Sequence, residues 1–71
     1  MSPAEARAAA ISLRGAAVVW ARSYVGAAAE DVAHDAIVEL LAKQAVIDYR
    51  AAAAWLRTTV LHKAREPRSS A

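Results

Sequence analysis

The segment 28–43 carries the clearest pattern of apolar and polar positions in the chain. Apolar residues recur there at intervals of three and four, which is the spacing of one face of an α-helix and gives a stripe about half the circumference wide. The stripe consists of Val32, Ala33, Ala36, Ile37, Leu40 and Leu41. We therefore predict that this segment is a helix whose striped side faces a core.

The opposite side of this predicted helix combines acidic and apolar residues. Its members are Asp31, His34, Asp35 and Glu39, which surround Val38 and Ala42. Such a side suits the docking of a partner, but isolated apolar residues are also normal on protein surfaces. Both interpretations remain open from these residues alone.

An earlier helix is predicted to start at Ser2 and to end before Gly26. Ser2 is a suitable N-cap, with Pro3 at the first helical position and Glu5 at the capping-box position. A connection of only two residues, beginning at Gly26, indicates that the first two helices form an antiparallel hairpin. The four-three spacing predicts an inner face made of Ala6, Ala10, Leu13, Ala17, Trp20 and Tyr24.

The first helix carries further apolar residues outside this inner face. Ile11, Val18 and Val25 recur at intervals of seven, close to Arg7 and Arg14. The helix therefore has more apolar surface than one neighbour requires, which is compatible with a position between two helices, with a coiled coil or with a homodimer.

A third helix is predicted from about Tyr49 to Glu66, with Asp48 as its N-cap and Pro67 as its stop. Its inner face would consist of Ala52, Trp55, Leu56, Thr59 and Val60. The predicted fold is an all-α, compact three-helix domain over residues 1–66, a helical hairpin plus a basic third helix. Residues 67–71 are predicted to be a disordered tail or the start of a linker.

Composition limits the classes of protein to which the chain can belong. Seventy-one residues allow one small domain, and 21 of them are alanine, which predicts a thin core. The apolar runs are too short to cross a bilayer, no basic secretory signal begins the chain, and cysteine is absent, so we expect a cytoplasmic protein without contact to a membrane.

Charge is divided between the two later helices. Five acids and one base lie within residues 30–48, whereas five bases and one acid lie within residues 50–71. Arg57, Leu61 and Arg65 recur at intervals of four and form a basic row on the third helix. Contact with phosphates and an ordinary solvated helix surface are both compatible with this row.

Catalysis has little support in the residues available. The chain has two histidines and no glycine-rich phosphate loop, so we expect neither an enzyme nor a nucleotide cofactor. Asp31 and His34 have the spacing of half a carboxylate-bridged metal site, which would need symmetric assembly to be complete. We therefore expect no metal.

Three motifs follow one another in an informative order. Tyr24-Val25-Gly26 ends the first helix, AEDVAHDA opens the second at residues 29–36, and AWLRTTV occupies residues 54–60 of the third. In this order they resemble region two of bacterial RNA polymerase sigma factors, most closely the compact extracytoplasmic-function group. The resemblance extends over nearly all of residues 1–66.

The resemblance implies that the second helix docks on the clamp helices of the largest subunit of RNA polymerase. It also implies that the third helix helps to melt and hold promoter DNA. The implied polymerase contacts are Asp31, His34, Asp35, Val38 and Glu39. The implied DNA contacts are Arg50, Arg57, Leu61, His62 and Arg65.

Some family features have no counterpart in these 71 residues. The second helical domain that reads the upstream promoter element is absent, and alanines at 51–54 leave few aromatic residues for holding bases. Three functions therefore remain open: part of a sigma factor, cut from a longer protein or working with a separate promoter-reading domain; a sigma mimic that binds polymerase or an anti-sigma factor; and a self-associating helical module.

Overall fold

The computed structural model describes residues 1–66, and the predicted tail at 67–71 lies outside them. Three α-helices make up the fold: α1 at Pro3–Val25, α2 at Ala29–Ala42 and α3 at Ala52–Arg65. No strand occurs in the described part of the chain. The all-α, three-helix prediction is therefore confirmed.

The start of α1 is fixed by the predicted capping box. The Glu5 backbone N–H donates to the Ser2 hydroxyl oxygen at 3.2 Å, and the Ser2 backbone N–H donates to the Glu5 carboxylate at 2.9 Å. At the other end, Gly26 adopts φ 55° and ψ −112°, a conformation that side-chain-bearing residues rarely adopt. A 3₁₀ turn at Gly26–Ala28 then leads directly into α2.

The start of α3 differs from the prediction. A 3₁₀ turn at Gln44–Val46 follows α2, and a second one at Tyr49–Ala51 precedes α3. Asp48 caps this second turn by accepting a hydrogen bond from the Arg50 N–H at 3.0 Å. The α-helix itself therefore starts three residues later than predicted.

Helix α1 packs against both α2 and α3. The buried apolar residues of the described chain are Ala6, Ala9, Ala17, Ala21, Ala29, Val32, Ala33, Ala36, Leu40, Ile47, Ala52, Leu56 and Val60. Most of them are alanine, so each contributes little apolar area while allowing the helix axes to come close together.

Two predicted core positions are wrong. Leu41 is 40% exposed, because it lies on the side of α2 that neither α1 nor α3 covers. Tyr24 is half exposed, because Ala21 and Val25 occupy the inner side of the last turn of α1. The Arg65 guanidinium lies 6.0 Å above the Tyr24 ring. The predicted inner face of α3 is confirmed, with Leu56 and Val60 fully buried and Trp55 packed against the core.

The first residue links the start of α1 to the segment that follows α2. The α-ammonium of Met1 donates to the carbonyl oxygens of Gln44 and Ile47 at 2.7 and 2.6 Å. Because α1 and α2 are antiparallel, the start of α1 lies beside the end of α2. These two charge-assisted hydrogen bonds connect α1 to the α2–α3 connection.

Candidate functional site

The side of α2 that faces away from the core carries four of the residues predicted to contact a partner, together with Leu41. We call it the α2 outer surface, and it comprises Asp31, His34, Asp35, Val38 and Leu41. All five are exposed, and Val38 is 50% exposed. Three of the others precede Val38 along the helix: Asp35 by three positions, His34 by four and Asp31 by seven. Since these intervals bring side chains to one side of a helix, an apolar centre lies beside acidic residues.

Glu39 lies at the border of this surface and is engaged within the molecule. Its carboxylate contacts the Nζ of Lys63 on α3 at 2.9 Å and the Nζ of Lys43 at 3.0 Å. Hydrogen bonds from Lys63 and Lys43 lower the pKa of the Glu39 carboxyl below its ordinary value of 4.5, and the bond from Lys63 has the larger effect. Any external partner of Glu39 would compete with two ion pairs.

Lys63 is held in turn by the acids of α2. The hydrogen bond to Glu39 raises the pKa of the Lys63 ammonium above its ordinary value of 10.5, with a smaller contribution from the charge of Asp35. The Lys63 side chain is 27% exposed. One of the bases counted in the basic third helix therefore stabilises the packing of α3 on α2.

The residues predicted to contact DNA come from α3 and from the turn before it. Arg57, Leu61 and Arg65 follow one line along α3, with Leu61 half-buried and both arginines exposed. Arg65 lies over the Tyr24 ring, at the outer limit of a cation–π contact. Arg50 belongs to the 3₁₀ turn before α3. His62 is exposed and lies near the end of α3.

A groove of about 660 Å³ lies between α1 and α2, and we call it the α1–α2 groove. Its lining is Ala10, Ile11, Arg14, Val18, Glu30, Asp31, Ala33, His34 and Ile37. The floor is apolar, with a cation on the α1 wall and two carboxylates on the α2 wall. One signal for this groove is visible in the sequence, since Ile11 and Val18 stand beside Arg14 and outside the predicted inner face of α1.

No protein-family model, curated protein or solved structure matches the chain. The resemblance to sigma region two therefore stays a prediction. Nor do residues 1–66 contain a group of three acidic, histidine or cysteine side chains that could hold a metal ion. Within those residues, no helix is both long enough and apolar enough to span a membrane.

Proposed function

We propose that the chain is a sigma-factor-like transcription protein that docks on RNA polymerase through the α2 outer surface. The observation that carries the proposal is the exposed Val38 and Leu41 beside Asp31 and Asp35. A surface with an apolar centre and a charged border is the usual composition of a protein-binding site. Three of its residues also belong to AEDVAHDA at residues 29–36, one of the three motifs on which the resemblance to sigma region two rests.

The charge of this surface favours a basic partner. The side chains of Asp31 and His34 form no hydrogen bond or ion pair with another described residue, so an arriving cation would not have to displace one. Val38 would then be covered by the apolar part of the partner. The clamp helices of the polymerase largest subunit are the partner that the resemblance implies, and the protein would act in the cytoplasm.

Capture of core RNA polymerase by the immobilised chain tests this docking. The double reversal Asp31→Lys with Asp35→Lys is expected to abolish capture, and Val38→Asp to reduce it at least about tenfold by placing a charge at the interface centre. Glu66→Lys and Val19→Asp are matched controls, since both residues are exposed outside α2. Undiminished capture by the double reversal would contradict the assigned surface.

The fold of each variant needs a separate check, because the charge of Asp35 acts on Lys63. A lysine at position 35 would stand near a second ammonium group and would weaken the contact between α2 and α3. Circular dichroism at the capture temperature shows whether the helices persist. Asp31→Lys alone avoids this effect and is expected to lose part of the capture.

Contact with promoter DNA by α3 and the turn before it is the second candidate function, and the exposed guanidinium groups of Arg50 and Arg57 favour it. Single-stranded DNA binding is measured over a salt series. Replacing Arg57 and Arg65 by alanine is expected to reduce the slope of log K against log salt by about 0.7 for each phosphate that the variant no longer neutralises. Arg7→Ala with Arg22→Ala removes the same charge from α1 and is expected to leave that slope nearly unchanged.

The two measurements together separate the remaining alternatives. Polymerase capture with salt-dependent DNA binding supports a sigma factor, including one that needs a separate promoter-reading domain. Capture without DNA binding supports a mimic that occupies the polymerase or binds an anti-sigma factor. Absence of both leaves a mimic that binds only an anti-sigma factor, or a self-associating module.

A further inference from the structure

We infer that the α1–α2 groove binds a second copy of this chain, giving a dimer with two-fold symmetry. The first observation is Ile11, which is 73% exposed at the edge of the groove although α1 is otherwise covered on two sides. A large apolar side chain beside an apolar groove can fill the corresponding groove of an identical neighbour. Self-association of this kind does not depend on the proposed function.

Charge on the two walls argues for a second copy over a foreign helix. Arg14 stands on the α1 wall, and Glu30 and Asp31 stand on the α2 wall. None of the three forms an ion pair with another described residue. A uniformly basic or acidic ligand would meet a like charge on one wall, whereas a two-fold axis brings Arg14 of each copy to the acids of the other.

The outer side of α1 allows another helix to approach closely. Ala4, Ala8, Ile11, Gly15 and Val18 recur at intervals of four, three, four and three, which is the spacing of a helix–helix seam. Apart from its chain neighbours and the adjacent backbone of α1, no atom lies within 4 Å of the position that a side-chain carbon on Gly15 would occupy. A second α1 can therefore lie against this side without displacing part of the first molecule.

The expected dimer is weak. The described chain exposes 4698 Å², and a groove on one side of so small a domain gives an interface in the class below about 1,200 Å² in total. The association should therefore be measured at protein concentrations of roughly 5 to 500 µM. Asp31 and His34 belong both to this groove and to the α2 outer surface. If the proposed function holds, dimerisation would therefore compete with polymerase docking.

Sedimentation equilibrium of the 71-residue chain tests the inference directly. The weight-average mass is expected to rise from that of one 7.5 kDa chain toward twice that value with concentration. Ile11→Glu is expected to weaken association at least about tenfold by placing a charge in an apolar groove. Val46→Glu, 85% exposed in the 3₁₀ turn after α2 and outside the groove lining, should change it less than about twofold. A wild-type mass that stays at one chain overturns the inference, as does equal weakening by both variants.

A charge exchange tests the reciprocal pairing. In a dimer of Arg14→Glu chains, the new carboxylate would face Glu30 and Asp31 of the other copy. In a dimer of Asp31→Arg chains, the new guanidinium would face Arg14 of the other copy. Each variant alone is therefore expected to be a monomer. A mixture of the two variants pairs opposite charges at both sites and is expected to regain association. A mixture in which both variants stay monomeric would exclude the pairing of Arg14 with Asp31, and circular dichroism of each variant distinguishes this result from unfolding.

Discussion

Removing the Glu39 carboxylate is expected to destabilise the fold mainly through the contact between α2 and α3. Glu39 joins Lys63 at 2.9 Å across the two helices and Lys43 at 3.0 Å within α2. The Glu39 and Lys63 side chains are only 30% and 27% exposed, whereas Lys43 is 56% exposed. The pair between helices is thus less screened by solvent than the pair within α2.

These exposures set the magnitude. A pair four residues apart on an exposed helix contributes about 0.3–0.5 kcal/mol, and a partly shielded pair between helices about 0.5–1 kcal/mol. Glu39→Gln should therefore lower the free energy of unfolding by about 1 kcal/mol, which shifts the Tm of a domain this small by about 4–8 °C. Glutamine preserves the size of the side chain, so packing is not changed at the same time.

Double-mutant cycles followed by thermal and urea unfolding separate the two pairs. One cycle combines Glu39→Gln with Lys63→Met, and the matched cycle combines Glu39→Gln with Lys43→Met. The coupling energy of the first cycle is expected to exceed that of the second. A coupling with Lys63 that is zero, or smaller than the coupling with Lys43, would refute the reasoning.

The direction of the pKa shifts adds a pH dependence. The folded pKa of Glu39 lies below 4.5, so its contribution is present above pH 4.5 and is lost as pH falls through the folded value. The folded pKa of Lys63 lies above 10.5, so its contribution is present below pH 10.5 and is lost as pH rises through the folded value. The difference in stability between wild type and Glu39→Gln should be constant between these limits and shrink beyond both.

Three further predictions test the packing and the helix ends. Gly15→Ala should raise the free energy of unfolding by about 0.5–1 kcal/mol, because the site is open and helical, whereas Gly26→Ala should lower it by about 1–3 kcal/mol, because φ is 55° there; urea unfolding of both variants compares them. Leu40→Ala should lower the free energy of unfolding by about 2–5 kcal/mol, and the neighbouring Leu41→Ala should lower it by well under half of that, since only Leu40 is fully buried. Urea unfolding of both variants compares the two losses. Acetylating the Met1 amino group leaves one N–H for two carbonyl acceptors and should cost about 1–2 kcal/mol, measured by thermal unfolding, and an unchanged Tm would contradict the contribution of these hydrogen bonds.

Features that depend on neighbouring residues could be predicted from the sequence. The capping box of Ser2 and Glu5 and the stop at Gly26 each need only a few residues, and the structure confirms both. The three helices follow from periodicity within single segments. Such signals act before any tertiary contact exists, so a single sequence is sufficient to read them.

Features that depend on how the helices are arranged could not be predicted in the same way. The pattern assigned Leu41 to the core because spacing does not reveal that the adjacent side of α2 is left open. The buried Ala9 and Ala21 were missed because a helix rich in alanine gives nearly equal apolar character to several sides. The pairing of Glu39 with Lys63 joins residues 24 positions apart, for which local spacing gives no signal.

The arrangement of charges on α2 determines which residues can report on an external partner. Glu39 contributes to the stability of the α2–α3 contact, so loss of polymerase capture after its replacement would mix unfolding with weakened binding. Asp31 forms no ion pair with another described residue, and it belongs both to the α2 outer surface and to the lining of the α1–α2 groove. Asp31 therefore tests both proposals with the least disturbance of the fold. Asp31→Lys that reduces capture while Ile11→Glu does not would separate docking on the outer surface from occupation of the groove.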